Sequence, residues 1–521
     1  RDAGEAEIAS LTAALDELES TLIPQGLHVF GSPPDADKRI ETLVVLADSA
    51  PGGPSRAAIE ALVHGEPVPE RDRSTERFAE IARIDRLLAD NREMDGLLKA
   101  LAGRYVRPVP GGDLLTNPDI LPTGRNMHGF DPFRIPSAFA VSRGMRQARR
   151  LLDRHVAETG AVPESVAIVL WGTDNLKSEG GPIAQAMALM GAVPRFDSYG
   201  RLTGARLLPL GEFEGPRIDV VITLSGIFRD LLPLQSRMLA EAAWLAASAD
   251  EPEERNFVRK HALAYVRETG CDLATAALRV FGNAEGVYGA NINLLVDNGA
   301  WQDADELGDT FVRRKSFAYA PDGRTIASPA LMTRALADVG AAFQNLDSAE
   351  LSVTTISHYF DTLGGITKAA ERARGGSAPA VYIGDQTRGE GTIRTLGEQV
   401  ALEARTRILN PAWYESMLEH GYEGARQIDE HVTNAMGWSA TTGKVPAWVY
   451  RRVTETFVLD PAMRERLAAL NPAASAKLAS RLLEAEQRRF WQADSETLDA
   501  LRRAGDELEE RLEGVTRGVA A

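Results

Sequence analysis

Cysteine is nearly absent: Cys271 is the one thiol in 521 residues, which excludes a disulfide framework or a cysteine-rich zinc site within the chain. Long apolar runs are missing too. The best candidate, around Leu239 to Ala249, carries Glu241 and falls well short of the roughly 18 to 20 residues that span a bilayer. Positive charge is in deficit, with 58 Lys plus Arg against 74 Asp plus Glu and a formal net charge of −16. Such a field repels phosphate, so nonspecific binding to nucleic acid or an anionic membrane is excluded, a local basic patch aside.

Several catalytic signatures are also lacking. No Gly-x-x-x-x-Gly-Lys-Ser/Thr loop is present to cradle a nucleotide, no His-Glu-x-x-His pair to hold zinc, and no Gly-x-Ser-x-Gly elbow to raise a nucleophile. The chain opens Arg1-Asp2-Ala3 with neither an initiator Met nor a signal peptide, so Arg1 is expected not to be the natural start. No internal repeat or low-complexity segment is found.

What is present is globular. With 44% hydrophobic and 25% charged residues, the chain is long enough for about three domains. Ile8, Leu11, Leu15, Leu18 and Leu22 recur three and four apart, as on one helix face. From Arg104 to Pro136 a series of breakers, Pro108, Pro110, Gly111, Gly112, Pro118, Pro122 and Pro132 among them, interrupts any long element and marks an ordered connector. Short β-branched runs then alternate with helical stretches: Val166 to Trp171, Gly180 to Met190, Ile218 to Thr223, Leu231 to Ala247, Leu351 to Ile356, Ile366 to Arg374, and Ala380 to Ile383. That alternation predicts an α/β fold with a parallel-type sheet core and helical regions before and after it. The expected boundaries are a helical region with its connector over 1–140, the α/β core over 141–390, and a C-terminal helical region over 391–521. In the last region Asn410-Pro411, Asp460-Pro461 and Asn471-Pro472 each set an N-cap before a first-turn proline. Leu498, Leu501, Leu508 and Leu512 stripe a final helix that Gly514 closes.

Open parallel sheets bind ligands beyond the carboxyl ends of their strands, so four loops are candidates. After Trp171 come Asp174, Lys177, Glu179 and Gly180-Gly181, where free helix N–H groups suit an anion and the glycines equally suit a plain turn. After Thr223, Arg229 and Asp230 place a cation beside a carboxylate, or simply cap a helix. After Ile356, Ser357-His358-Tyr359-Phe-Asp361 precedes Gly364-Gly365; its imidazole and carboxylate suit a divalent ion or a released proton, and a lone His is as readily structural. After Ile383 come Gly384, Asp385 and Arg388. His420-Gly-Tyr-Glu423-Gly424 reads as a glycine-kinked packing contact or a further site element.

Longer blocks carry a resemblance. Gly124-Arg-Asn-Met-His-Gly-Phe-Asp-Pro132, Leu170-Trp-Gly-Thr-Asp-Asn-Leu-Lys-Ser-Glu-Gly180, Thr223-Leu-Ser-Gly-Ile-Phe-Arg-Asp230, Arg279-Val-Phe-Gly282, Tyr288-Gly-Ala-Asn291, His420 to Gly424 and Gly437-Trp-Ser-Ala-Thr-Thr442 occur in this order. Together they resemble the large porphyrin-binding subunit of magnesium chelatases, over nearly the whole chain from Leu27 to Val515. The large subunit of aerobic cobaltochelatase shares most blocks, but Asn291 to Trp301, Arg313 to Tyr319 and Ser439 look more like the magnesium branch. Family members are more than twice as long, so the resemblance is to their C-terminal portion.

The resemblance implies a ligase-type metal chelatase that binds protoporphyrin IX and takes Mg²⁺ as its substrate ion for (bacterio)chlorophyll biosynthesis. ATP is then hydrolysed by two AAA+ type partner subunits, and this portion alone is expected to be inactive. The alternatives are cobalt insertion for cobalamin, or a noncatalytic tetrapyrrole-binding scaffold. The implied location is the cytoplasm, or the plastid stroma in a plant or alga, with peripheral membrane contact open. Insertion strips water from Mg²⁺ and removes two pyrrole protons. His358 and Asp361 are therefore the candidates for metal delivery and catalysis with Glu179 beside them, and Lys177 and Arg229 for pairing with porphyrin propionates.

Overall fold

The computed structural model describes residues 26–514 apart from 49–51, 110–113, 116, 128–130, 214 and 388, together with 12, 15, 18, 21 and 23. Most of the repeat from Ile8 to Leu22 lies outside the described residues, as do His128 and Arg388.

Eight strands form the main sheet: β1 (Ser165–Leu170), β2 (Asp219–Leu224), β3 (Val280–Gly282), β4 (Phe317–Tyr319), β5 (Thr325–Ala327), β6 (Val339–Leu346), β7 (Ala380–Asp385) and β8 (Thr392–Thr395). Their spatial order is β8-β7-β6-β1-β2-β3-β4-β5. From β7 to β3 all pairings are parallel, and β8, β4 and β5 add antiparallel edges. The two expected runs at Val166 and Ile218 lie side by side, with Val166 opposite Val220. The chain builds outward from β1 through β2 and β3, then returns to lay β6 on the other side of β1. The gap between β1 and β6 is thus the topological switch point of the sheet.

Both faces of the central strands are buried, which is why they read as unbroken apolar runs. Val166, Ile168 and Leu170 join a core with helices Ala138–Thr159, Gly181–Leu189 and Pro233–Ser248. Ala167 and Val169 belong to the opposite core, which runs on without a break into the helices from Leu396–Thr406 to Ser495–Leu512. A separate apolar cluster of Ile40, Leu43, Leu46, Ile59, Ile81 and Ile84 holds the N-terminal helices together. All three Asx-Pro starts are capped as expected, Asn410 accepting from Ala412 N, Asp460 from Met463 N and Asn471 from Ala474 N. Among the described residues no helix is long and apolar enough to cross a membrane.

One expected strand is corrected. Leu351 to Ile356 is a buried loop, and the strand is β6, which ends at Leu346, just before it in the chain. β6 begins Val339-Gly-Ala-Ala, with little β-branching to mark it. In Val353 and Thr354 side chains replace a sheet ladder: both N–H groups donate to the Glu403 carboxylate, while Trp438 Nε1 donates to Val353 O and Asn434 Nδ2 to Thr354 O. Arg407 clamps the approach by donating to the carbonyls of Ala349, Glu350 and Leu351. Trp438 of the Gly437-Trp438 block thus helps Glu403, Asn434 and Arg407 to hold the loop after β6.

Candidate active site at the switch point of the sheet

Trp171 leaves β1 and leads into the short helix Gly172–Lys177, whose Asp174 is buried. Asp347 leaves β6 and is buried beside it. Burial pushes the Asp174 carboxyl up to about 6, against the opposing pull of the Lys177 ammonium. Burial and then the charge of Asp174 push Asp347 well above the usual carboxylate range, against Arg143 and Lys177. One oxygen on each carboxylate, Asp174 Oδ2 and Asp347 Oδ2, has no hydrogen-bond partner. Two buried carboxylates with unpaired oxygens at a switch point are costly for a structural role.

Aromatic and amide groups frame the pair. The rings of Trp171 and Tyr359 lie 5.2 Å apart, Trp171 Nε1 donates to Gln344 Oε1 at 3.2 Å, and Asn345 Nδ2 donates to Gln185 Oε1 at 3.0 Å. Burial raises the Tyr359 phenol well above its ordinary value, and the charges of Asp174, Asp347 and Glu403 add to this. From helix Ala138–Thr159, Arg143 donates to Gln386 O and Oε1 just past β7. In the same loop Asp385 is occupied locally by Thr387 and Arg394.

The residues chosen from sequence fall in three places. Lys177 stands beside the carboxylate pair, and Glu179, exposed with φ 53°, turns the chain before Gly180. Arg229 lies after β2 with its guanidinium tied down: it donates to Ala284 O and Val287 O, pairs with Asp230 at 2.7 Å, and covers the Tyr288 ring. His358 is exposed at the head of the turn that follows the β6 loop. Asp361, three residues on, is fully buried and accepts from Ala290 N at 2.7 Å, Ile292 N at 2.7 Å and Asn293 N at 3.3 Å. Its carboxylate thereby orders the start of helix Ile292–Asp297. Lys315 is buried close by, donates to Leu224 O, and is brought down to about 8 by burial, with Asp361 working against the shift.

The turn from Ser357 to Gly364 joins these groups: Tyr359 faces the carboxylate pair and Asp361 the β2 side. It is pressed against helix Tyr422–Thr442, where a Cβ on Gly364 would sit 2.3 Å from Thr441 Oγ1 and one on Gly437 2.5 Å from the Phe360 ring. His420 has a packing role, its Nε2 accepting from Leu27 N at 2.8 Å. Arg279 is structural at the opposite end of the strands, paired with Asp219 at 2.7 Å.

Sequence reasoning missed Asp347 and passed over Asp174. Asp174 stands in the first of the four candidate loops, where Lys177 and Glu179 drew the attention. Asp347 is hidden in the sequence because the strand before it carries so little strand signal.

An open doubly wound sheet, backed by a helical bundle and gathering buried carboxylates at its switch point, defines an α/β protein with a candidate ligand crevice at the ends of its strands. Residues 1–77 and 54–498 match the CobN/Magnesium Chelatase family, and the chain belongs to it. It is 56% identical to the H subunit of magnesium chelatase from Rhodobacter capsulatus over 98% of this chain and 40% of that protein. It is 35% identical to the CobN subunit of aerobic cobaltochelatase from a Sinorhizobium species, over 77% of this chain and 32% of that one. The solved catalytic subunit of cobaltochelatase from Mycobacterium tuberculosis superposes with a TM-score of 0.89 at 31% identity, over 98% of this chain and 47% of that chain. The chain thus spans less than half the length of these relatives.

Proposed function

We propose that this chain is the C-terminal part of the porphyrin-binding subunit of a magnesium chelatase, acting with two AAA+ type ATPase subunits to insert Mg²⁺ into protoporphyrin IX. The observation that carries the reading is the carboxylate pair at the switch point. Ile227, Tyr288 and Leu294 are about half exposed in the segments that follow β2 and β3, and exposed apolar side chains suit one face of a flat macrocycle. Lys177 is the cation placed to meet a propionate, with Arg229 held deeper by its carbonyl contacts. His358 and Glu179, both exposed, are the candidates for meeting a hydrated Mg²⁺ or a leaving proton. Asp361 serves the same site by fixing the start of the helix that carries Leu294. The magnesium branch is favoured over cobalt by the higher identity to the magnesium-chelatase relative.

The units 1–140, 141–390 and 391–521 are retained as chain segments, the last two sharing one apolar core. A location in the cytoplasm or plastid stroma is the setting this function requires. The full-length subunit, mixed with its ATPase partners, Mg²⁺, ATP and protoporphyrin IX, should develop the absorbance of the metallated porphyrin. Porphyrin binding with no turnover would instead identify a scaffold, and turnover with Co²⁺ alone the cobalt branch.

A further inference from the structure

We propose that Asp174 and Asp347 are the proton-accepting pair of the crevice, taking up the protons displaced when a divalent ion replaces the N–H hydrogens of a tetrapyrrole. This rests on the chelatase reading above and gives the carboxylate pair a role within it.

The argument is geometric first. Asp174 is 3% and Asp347 9% exposed, and they lie just beyond the carboxyl ends of β1 and β6, the two strands that bound the switch point. Each keeps one carboxylate oxygen without a partner, and around them Asn345 Oδ1 and Gln386 Nε2 are unpartnered as well. Polar atoms left free inside a folded protein destabilise it, so a cluster of them points to a use. The charged groups facing the pair are Lys177, Arg143 and Asp385, with the Tyr359 phenol above. One cation apiece from two different helices offsets part of the pair's charge without forming a closed ion pair.

Electrostatics then sets the occupancy. Two buried carboxylates in each other's field do not both ionise near neutral pH. One proton stays, and the second carboxylate is free to accept. A base works best when its own affinity for the proton lies near the working pH, which is where burial has moved Asp174. Each N–H bond breaks with its electron pair left on nitrogen, where it becomes the bond to the metal ion. The proton passes to the free carboxylate and from the pair to solvent water before the second N–H bond breaks.

The test uses the full-length subunit with its ATPase partners, Mg²⁺ and protoporphyrin IX, and the variants Asp174→Asn and Asp347→Asn. Each should lower kcat by about tenfold or more and displace the acidic limb of the pH profile, while porphyrin affinity read by fluorescence quenching and the melting temperature are retained. Infrared spectra at neutral pH should show the C=O band of a buried protonated carboxyl in the wild type that Asp347→Asn removes. Wild-type kcat and an unmoved pH profile in both variants would overturn the proposal. If the wild type inserts no metal, the chelatase reading fails by itself; the infrared band still decides the pair, and its absence at neutral pH overturns it.

Discussion

Glu403 and Thr354 are joined twice: Glu403 Oε2 accepts from Thr354 N at 3.0 Å and from Thr354 Oγ1 at 2.8 Å. Its other oxygen takes Val353 N and Gln399 Nε2, so one buried carboxylate stands in for the sheet ladder that this β-branched segment lacks. Glu403→Ala leaves those donors unsatisfied and is expected to lower stability by at least about 3 kcal/mol. Chemical denaturation measures it, and a change below about 1 kcal/mol would show that the loop has other support.

Asp361 and His358 should separate cleanly. Asp361→Asn weakens three charge-assisted bonds to backbone N–H groups and should cost about 2 to 3 kcal/mol, lowering the melting temperature. His358→Ala, at an exposed position, should leave stability within about 0.5 kcal/mol of wild type. Any effect of His358→Ala on chelation by the full-length subunit is then chemical. Equal thermal shifts in the two variants would contradict this division.

His431 should make the fold sensitive to acid. It is wholly buried against Trp413, both ring nitrogens lack partners, and burial brings it down to about 3, with the Arg407 charge adding to this. Because the folded state holds the neutral ring, its contribution is complete above the unfolded value of 6.5 and is lost as pH falls from there towards 3. The full loss is at most about 4 to 5 kcal/mol. His431→Leu should narrow the stability gap between pH 7 and pH 4 by a measurable part of that amount, and an unchanged gap would refute the assignment.

Nucleotide binding offers a negative check. With no phosphate-cradling loop in its sequence, the chain is expected to give no heat of binding when titrated with Mg-ATP. A clean micromolar isotherm would place nucleotide chemistry on this chain.

Local chemistry in the sequence determined a good deal. Unbroken apolar runs at Val166 and Ile218 specify strands buried on both faces, because only a parallel sheet covered by helices buries every side chain of such a run. Asn410, Asp460 and Asn471 before proline specify helix starts, because an N-cap acceptor and a fixed φ act within four residues. The ordered blocks carried the family resemblance. Tertiary structure alone decided the rest. Val353 and Thr354 have strand propensity, yet their N–H groups are satisfied by Glu403, some 50 residues away, and propensity yields where distant side chains satisfy the backbone better. The same holds for the site: whether Asp361 meets an ion or caps a helix depends on which N–H groups the fold brings to it. Asp174 and Asp347, 173 residues apart in the chain, become one coupled pair only when β6 is laid beside β1, since burial and mutual charge are properties of the packed crevice and of no segment within it.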